Sequence, residues 1–165
     1  MSKIVGVIGL GLMGLAMSKK LIEAKFEVQG FDIDQKRVDE LIAEGGKSVT
    51  SAKEAAIGAD FLITSLLYSE VVREVCLGKD GICESGNKGL IVIDTSTSRP
   101  EDSIQTGSDM KKEGYQFLDA SLSGGSPDVL KRNMVAMVGG DEEAFSKATE
   151  VLDVFSRSIY HLGSN

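Results

Sequence analysis

Three glycines near the amino terminus, Gly9, Gly11 and Gly14, have the spacing of a phosphate-binding loop. In the G-x-G-x-x-G pattern the first glycine allows a tight turn, the second lets the backbone approach a pyrophosphate, and the third lets a helix pack closely on a strand. A helix that begins at such a loop offers unpaired N–H groups and the positive end of its dipole to an anion. We therefore predict that this loop, which includes Leu12 and Met13, binds a diphosphate.

The residues on either side of the glycines have the pattern that a dinucleotide site requires. Residues 4–8 form an apolar, β-branched run typical of a buried strand, and apolar side chains recur at helical spacing from Gly14 onward. A second strand, residues 27–31, ends at Asp32, where an acid that binds ribose hydroxyls is expected, about 20 residues past the glycines. A turn that merely needs glycine would leave Asp32 unexplained. The sequence therefore predicts a dinucleotide site.

The same acid bears on which dinucleotide is bound. A carboxylate at Asp32 can accept hydrogen bonds from both ribose hydroxyls of NAD, and it repels the 2′-phosphate of NADP. Lys36 and Arg37 could pair with such a phosphate, but their segment has the pattern of a helix that exposes them to water. We therefore predict NAD in preference to NADP.

Further side chains suited to a ligand follow the predicted strand at residues 60–65. Ligands of open α/β sheets bind beyond the carboxyl ends of the strands, so this loop is expected to face the cofactor. Leu66 and Leu67 offer apolar walls. The ring of Tyr68 either lies against an adenine or nicotinamide face or covers the loop, and the sequence leaves both possibilities open.

Polar groups follow two later strands. Ser96 and Thr97, after the strand at residues 90–94, can donate hydrogen bonds to a carboxamide, a phosphate or a carboxylate, and they can equally form a turn. After the strand at residues 115–119, a glycine-rich turn exposes several backbone N–H groups and predicts a small nest for a carboxylate: Ser123, Gly124 and Gly125.

The alternation of strands and helices along the chain predicts an α/β fold of the Rossmann type, a doubly wound and mostly parallel sheet with helices on both faces. Helix starts are marked by Ser51 with Glu54, by Pro100 and by Asp141. Eight strands are predicted, over residues 4–8, 27–31, 47–49, 60–65, 90–94, 115–119, 134–138 and 158–162.

Size and composition limit the remaining possibilities. The 165 residues are enough for one domain with a real core, and the 42% hydrophobic and 26% charged content is typical of a soluble globular protein. The formal net charge of -7 argues against nucleic acid as a partner. No apolar run is long enough to span a bilayer, and because the first strand begins almost at once we expect no secretory signal. Cys76 and Cys83 lack metal-ligand spacing, so we expect free thiols and a cytoplasmic protein without a metal.

Motifs in a fixed order resemble those of the β-hydroxyacid dehydrogenase family. They are Gly-Leu-Gly-Leu-Met-Gly at residues 9–14, Asp-Thr-Ser-Thr at residues 94–97 with Pro100, and Asp-Ala-Ser-Leu-Ser-Gly-Gly at residues 119–125. The resemblance continues through Met-Val-Gly-Gly-Asp at residues 137–141 and covers nearly the whole chain. The family includes 3-hydroxyisobutyrate dehydrogenase, tartronate semialdehyde reductase and L-threonate dehydrogenase, with 6-phosphogluconate dehydrogenase more distant.

The resemblance implies an NAD(P)-dependent oxidation of a 3-hydroxy acid to its semialdehyde, or the reverse reduction. By the family pattern Leu66, Leu67 and Thr97 line the cofactor, and the turn at residues 123–125 holds the carboxylate of a small hydroxy-acid substrate. The general acid/base of the family is a lysine on a helix beyond the nucleotide domain, so we expect no catalytic residue within this chain, which ends at Asn165.

The same resemblance implies that residues 1–165 form one dinucleotide-binding domain of a longer enzyme. The all-helical second domain, which forms the dimer in the family, is expected to be absent, and the full-length protein is expected to be a homo-oligomer. Where the family continues after the carboxylate turn with a Gly-Ala pair and a later glycine, this chain has residues 126–133, so the identity of the hydroxy acid stays open. A non-catalytic dinucleotide sensor or scaffold is the alternative, although such a protein has no need of a carboxylate nest.

Overall fold

The computed structural model describes residues 2–164, and within them eight strands form one sheet. The strands are β1 (Ile4–Ile8), β2 (Glu27–Phe31), β3 (Lys47–Ser48), β4 (Phe61–Thr64), β5 (Ile91–Asp94), β6 (Gln116–Ser123), β7 (Met134–Gly139) and β8 (Ser156–Gly163). Their order is β3-β2-β1-β4-β5-β6-β7-β8, and all neighbours are parallel except β6 and β7. The predicted α/β fold with a mostly parallel sheet is confirmed.

Helices cover both faces of this sheet, and the buried apolar side chains accordingly form two clusters, one on each face. The helices are α1 (Leu12–Glu23), α2 (Gln35–Ala43), α3 (Ala52–Ala56), α4 (Ser69–Leu77), α5 (Pro100–Lys112), α6 (Ser126–Leu130) and α7 (Glu142–Leu152), with a 3₁₀ turn at Ile82–Ser85. One cluster holds the apolar sides of α1, α2, α6 and α7, and the other holds those of α3, α4 and α5. Within residues 2–164 no helix combines the length and apolar content that a membrane crossing needs.

The predicted helix starts are largely confirmed. The Ser51 hydroxyl accepts the N–H of Glu54 at 3.1 Å, while the Glu54 carboxylate accepts the N–H of Thr50 at 2.8 Å and so reaches one residue further back than in the usual capping box. Pro100 is the first residue of α5. Asp141 caps α7 by accepting two backbone N–H groups.

Strands β3, β4, β5, β7 and β8 differ from the predicted ranges by one or two residues at their ends, and two further segments also differ. Helix α1 begins at Leu12 rather than at Gly14, because Gly11 already serves as its N-cap and accepts the Leu15 N–H. Strand β6 does not end at residue 119 but continues to Ser123, because residues 119–123 pair antiparallel with β7. Part of the predicted turn is therefore strand, and the short helix α6 follows it.

Candidate functional site

The loop between β1 and α1 (residues 9–11, the α1 loop) and the first turn of α1 each contain a glycine that the protein itself requires. Gly9 has a φ of +87°, and a Cβ atom there would lie 2.2 Å from the carbonyl oxygen of Ser65. A Cβ atom at Gly14 would lie 1.9 Å from the carbonyl oxygen of Gly9. The tight turn and the close packing that the sequence predicts at these two positions are therefore steric properties of the fold.

Gly11 differs from both because no other part of the protein explains it. Its φ of -66° is open to any residue, and a Cβ atom there would meet no atom within 4 Å. Gly58 and Gly86 also have open Cβ positions, but their φ angles of +70° and +72° favour glycine on conformational grounds. The missing side chain of Gly11 keeps open the space in front of the first turn of α1.

No side chain compensates the positive end of the α1 dipole at that first turn. No side chain caps α1, and its first turn contains no acidic residue. Each of the other six α-helices in residues 2–164 has a capping side chain, an acidic first turn or both. The unpaired N–H groups and the positive dipole end of α1 are thus available to an anion.

Asp32 lies beside this loop and holds it by hydrogen bonds. Its Oδ2 accepts the Leu10 N–H at 2.6 Å and its Oδ1 accepts the Asp34 N–H at 2.8 Å, while the Gly9 N–H donates to the carbonyl of Phe31. A carboxylate oxygen can accept more than one hydrogen bond, so both oxygens retain capacity for ribose hydroxyls.

Ile33 is a residue of this region that sequence reasoning missed. Its side chain is 96% exposed, although it is a large aliphatic residue directly after Asp32. The only signal in the sequence was an apolar residue between two aspartates, which does not by itself distinguish a surface position from a buried one.

The loop after β4 has one inner and two outer side chains. Leu66 is half-buried and packs on the core cluster beneath α3, α4 and α5. Leu67 is 75% exposed and Tyr68 is 63% exposed. Both outer side chains are accessible to a ligand.

Ser96 and Thr97, after β5, have different environments. Ser96 is buried, and its hydroxyl accepts the Leu66 N–H at 2.9 Å, so it ties the β5–α5 loop to the β4–α4 loop. Thr97 is exposed. Of these two hydroxyls, the structure therefore leaves that of Thr97 the more accessible to a ligand.

The glycine turn after β6 is partly occupied by the chain itself. Ser123 ends β6, Gly124 has a φ of +131°, and the Gly125 N–H donates to Oδ2 of Asp128 at 2.9 Å. This hydrogen bond lowers the pKa of Asp128, as does a second one from Asn133. Ser123 and Gly124 are exposed, whereas one donor of the predicted nest already has an internal carboxylate.

A further carboxyl group, Asp94, lies buried at the end of β5. Burial raises the pKa of Asp94 despite hydrogen bonds from Ser96 and Thr64, and the nearby Asp119 raises it further. Asp119 is its register partner on β6, and burial raises the pKa of Asp119 too. Asp94 begins the Asp-Thr-Ser-Thr motif at residues 94–97, but the sequence predicts no binding or catalytic role for it.

The strand order brings most of these groups together. Chain order reverses between β1 and β4, which is the position where open α/β sheets form a crevice beyond their carboxyl ends. The α1 loop and Asp32 lie on one side of that crevice, and the loops after β4 and β5 lie on the other. Because β6 runs parallel to β5 and extends beyond it, Ser123 projects past the same edge.

Comparisons with known proteins identify the family to which the chain is similar. The model of the family described as the NAD binding domain of 6-phosphogluconate dehydrogenase matches residues 4–163. The chain is 35% identical to the NAD-dependent L-serine dehydrogenase of Pseudomonas aeruginosa over 161 residues, which are 98% of this chain and 54% of that protein. The chain thus spans about half the length of the curated relatives it matches.

Solved structures give the same result. The 3-hydroxyisobutyrate dehydrogenase of Mycobacterium tuberculosis, solved with L-serine, superposes with a TM-score of 0.93 at 32% identity, over 99% of this chain and 55% of that one. A structure solved with NADP⁺ and 2-OPP superposes with a TM-score of 0.91 at 27% identity, over 96% of this chain and 56% of that one.

Proposed function

Since this chain belongs to the family of the NAD-binding domain of 6-phosphogluconate dehydrogenase, we propose that it is the cofactor-binding domain of a hydroxy-acid dehydrogenase. The dinucleotide binds in the crevice between β1 and β4, with its diphosphate on the first turn of α1. Full-length relatives carry hydroxy acids in their names, so the proposal for the whole protein is oxidation of a small hydroxy acid or the reverse reduction.

The observation that carries this proposal is the space in front of α1. Gly11 has an ordinary backbone conformation and nothing near its missing side chain, yet it stands before a helix whose N–H groups no side chain caps. A diphosphate fits both features, because it needs backbone N–H donors, a positive dipole end and close approach to the chain.

NAD is the proposed cofactor in preference to NADP. The carboxylate of Asp32 is already fixed by the N–H groups of Leu10 and Asp34, so it presents a negative charge at a defined position for ribose hydroxyls. A 2′-phosphate at that position would be repelled. The exposed side chain of Ile33 provides an apolar wall for the adjoining base.

The nicotinamide end is proposed to lie over the loops after β4 and β5. When bound, the nicotinamide ring supplies the hydride acceptor or donor of the reaction. Leu66, Leu67 and Tyr68 exclude water from this region, and the hydroxyl of Thr97 donates a hydrogen bond. Ser123 and the Gly124 N–H are the groups proposed to hold the substrate carboxylate, with Gly125 shaping the turn.

The general acid/base of the reaction is proposed to be a lysine outside residues 1–165, as the family pattern implies. Residues 1–165 alone are therefore proposed to bind the cofactor with little or no turnover. The homo-oligomer of the full-length enzyme belongs to the same proposal, because the dimer-forming domain of the family is likewise proposed to lie outside residues 1–165.

Calorimetric titration with NAD tests the site through Gly11→Val. The added side chain fills only the open space, so we expect an intact fold and an affinity reduced by more than about tenfold, since each tenfold loss corresponds to about 1.4 kcal/mol. Glu142→Val is the matched control. Glu142 is exposed and begins α7, which follows β7. Because β7 runs antiparallel to β6, this helix begins at the amino ends of the parallel strands, away from the crevice. Unchanged affinity in Gly11→Val, or absence of NAD binding in the wild type, contradicts the proposal.

A further inference from the structure

Asp94 is a buried carboxyl group for which the proposed site so far provides no role. Its residue is only 1% exposed, although aspartate is almost never buried unless it is paired. Within residues 2–164 no lysine, arginine or histidine forms an ion pair with it, and its Oδ2 has no hydrogen-bond partner. A buried polar group of this kind requires a reason.

The other oxygen of Asp94 connects two strands. Its Oδ1 accepts the hydroxyl of Thr64, the last residue of β4, at 2.8 Å, and the Ser96 N–H at 3.0 Å. The hydroxyl of Ser96 in turn accepts the Leu66 N–H at 2.9 Å. We call these four residues, Thr64, Leu66, Asp94 and Ser96, the Asp94 clamp.

The residues of the clamp immediately precede the exposed residues of both loops in the chain. Leu67 and Tyr68 follow Leu66, and Thr97 follows Ser96. Each exposed group is thus one or two residues from a backbone N–H that the clamp holds. The α1 loop is held by separate contacts, namely those of Asp32 and Phe31. None of these contacts includes a residue of the clamp.

We propose that Asp94 is a positioning residue for the nicotinamide half of the dinucleotide, acting through the Asp94 clamp. The inference rests on the proposed function, because it assumes that a nicotinamide dinucleotide occupies the crevice. Asp94 itself is buried and does not contact the ligand. Its effect comes from fixing the spacing between the β4–α4 and β5–α5 loops, which must together form the surface that receives the ring.

The positioning role predicts that a broken clamp weakens the binding of NADH but not that of ADP-ribose. ADP-ribose contains the adenosine and diphosphate parts of NADH but lacks the nicotinamide ring. In Asp94→Ala we expect the Kd for NADH to rise about tenfold, as loss of buried hydrogen bonds commonly allows, while the Kd for ADP-ribose stays within about twofold. The fluorescence of bound NADH at saturation should also fall, because a mobile ring is quenched more strongly by water.

The conservative variant separates geometry from charge. Asp94→Asn retains an acceptor oxygen for the Thr64 hydroxyl and the Ser96 N–H, so we expect NADH affinity within about threefold of the wild type. Ser96→Ala breaks the next contact of the clamp and should reproduce the split between the ligands even if Asp94→Ala does not fold. Ser156→Ala is the matched control, because Ser156 is also buried but has no hydrogen-bond partner and lies in β8.

The outcomes distinguish the inference from the function on which it rests. A wild type that does not bind NADH refutes the proposed function and the inference together. Equal losses for NADH and ADP-ribose in Ser96→Ala and Asp94→Ala show that the clamp only stabilises the fold, and unchanged NADH binding shows that it does not position the ring. Either result, or a failure of Asp94→Asn to retain NADH affinity, overturns the positioning role alone.

Discussion

The three glycines of the phosphate-loop motif, Gly9, Gly11 and Gly14, differ in what surrounds their missing side chains. Gly9 and Gly14 leave no room for a Cβ atom, since the nearest atoms would lie 2.2 Å and 1.9 Å away. At Gly11 the same atom would meet open space. All three positions are glycine, yet two of them are required by the packing of the fold, and only the third, Gly11, is left for the proposed approach of a ligand.

We therefore expect Gly14→Ala to lower the free energy of unfolding by more than about 2 kcal/mol, because the added methyl group overlaps a backbone oxygen that cannot move away freely. Gly11→Ala should change it by less than about 1 kcal/mol, because the added methyl group meets no other atom and only the weaker preference for alanine at an N-cap contributes. Urea denaturation of both variants measures the difference. Equal stability of the two variants would contradict the steric assignment.

Asp32 is expected to determine the preference between the two dinucleotides. The substitution Asp32→Asn keeps the size of the side chain and one acceptor oxygen but removes the charge, so the repulsion of a 2′-phosphate disappears. We expect the ratio of NADP to NAD affinity to rise by about tenfold, which is the effect of about 1.4 kcal/mol. Titration of both cofactors measures the ratio, with Asp34→Asn as the neighbouring control. A wild type that already prefers NADP would refute the charge argument.

At the scale of the elements, helices α4 and α5 are joined by Asp109. Its carboxylate accepts hydrogen bonds from Lys112 and Gln105 on its own helix and from Arg73 on α4. These groups, Lys112 first, lower the pKa of Asp109 well below its usual range. Because the pKa in the folded state is lower than in the unfolded state, the carboxylate stabilises the fold above the unfolded pKa, and this contribution is lost as the pH falls through the folded pKa.

Asp109→Asn should therefore lower the urea midpoint near pH 7, and the difference from the wild type should shrink below about pH 4, where the unfolded-state carboxyl becomes protonated. Glu143→Gln is the control, because the ion pair of Glu143 with Lys147 lies within one helix and joins no other element. A difference that is independent of pH would show that Asp109 acts through packing rather than charge.

At the scale of the whole molecule, the sheet order separates the residues proposed to bind the cofactor from those proposed to bind the substrate. The α1 loop and Asp32 belong to β1 and β2, whereas Ser123 ends β6 at the far side of the crevice. A ligand that contacts both must lie across the carboxyl ends of the central strands. This arrangement agrees with a domain that holds a cofactor and one side of a substrate.

We accordingly expect residues 1–165 to bind NADH but to oxidise or reduce hydroxy acids and their semialdehydes at less than about a hundredth of the rate of a full-length relative, because general acid/base groups contribute about 10²–10⁴-fold. Absorbance of NADH at saturating cofactor measures the rate. The M. tuberculosis 3-hydroxyisobutyrate dehydrogenase is a suitable full-length control. Turnover by the isolated chain at a comparable rate would show that it contains its own acid/base.

The sequence by itself determined the features that depend on near neighbours in the chain. The apolar runs of the strands, the helix starts at Ser51, Pro100 and Asp141, and the glycine loop all arise from residues a few positions apart, whose periodicity and capping chemistry are visible locally. Asp32 is further along the chain, but the end of the next strand marks its position. The family motifs belong to the same class, because they are short runs of adjacent residues.

Only the tertiary structure decided which of these groups are available to a ligand. Ser96 and Gly125 are adjacent in sequence to exposed residues, yet the hydroxyl of one accepts the Leu66 N–H and the N–H of the other donates to Asp128. The extension of β6 depends on pairing with β7, and the Asp94 clamp joins residues 30 positions apart. Such contacts form because parallel strands bring distant segments to one edge of the sheet, and no local pattern in the sequence records which side chains meet there.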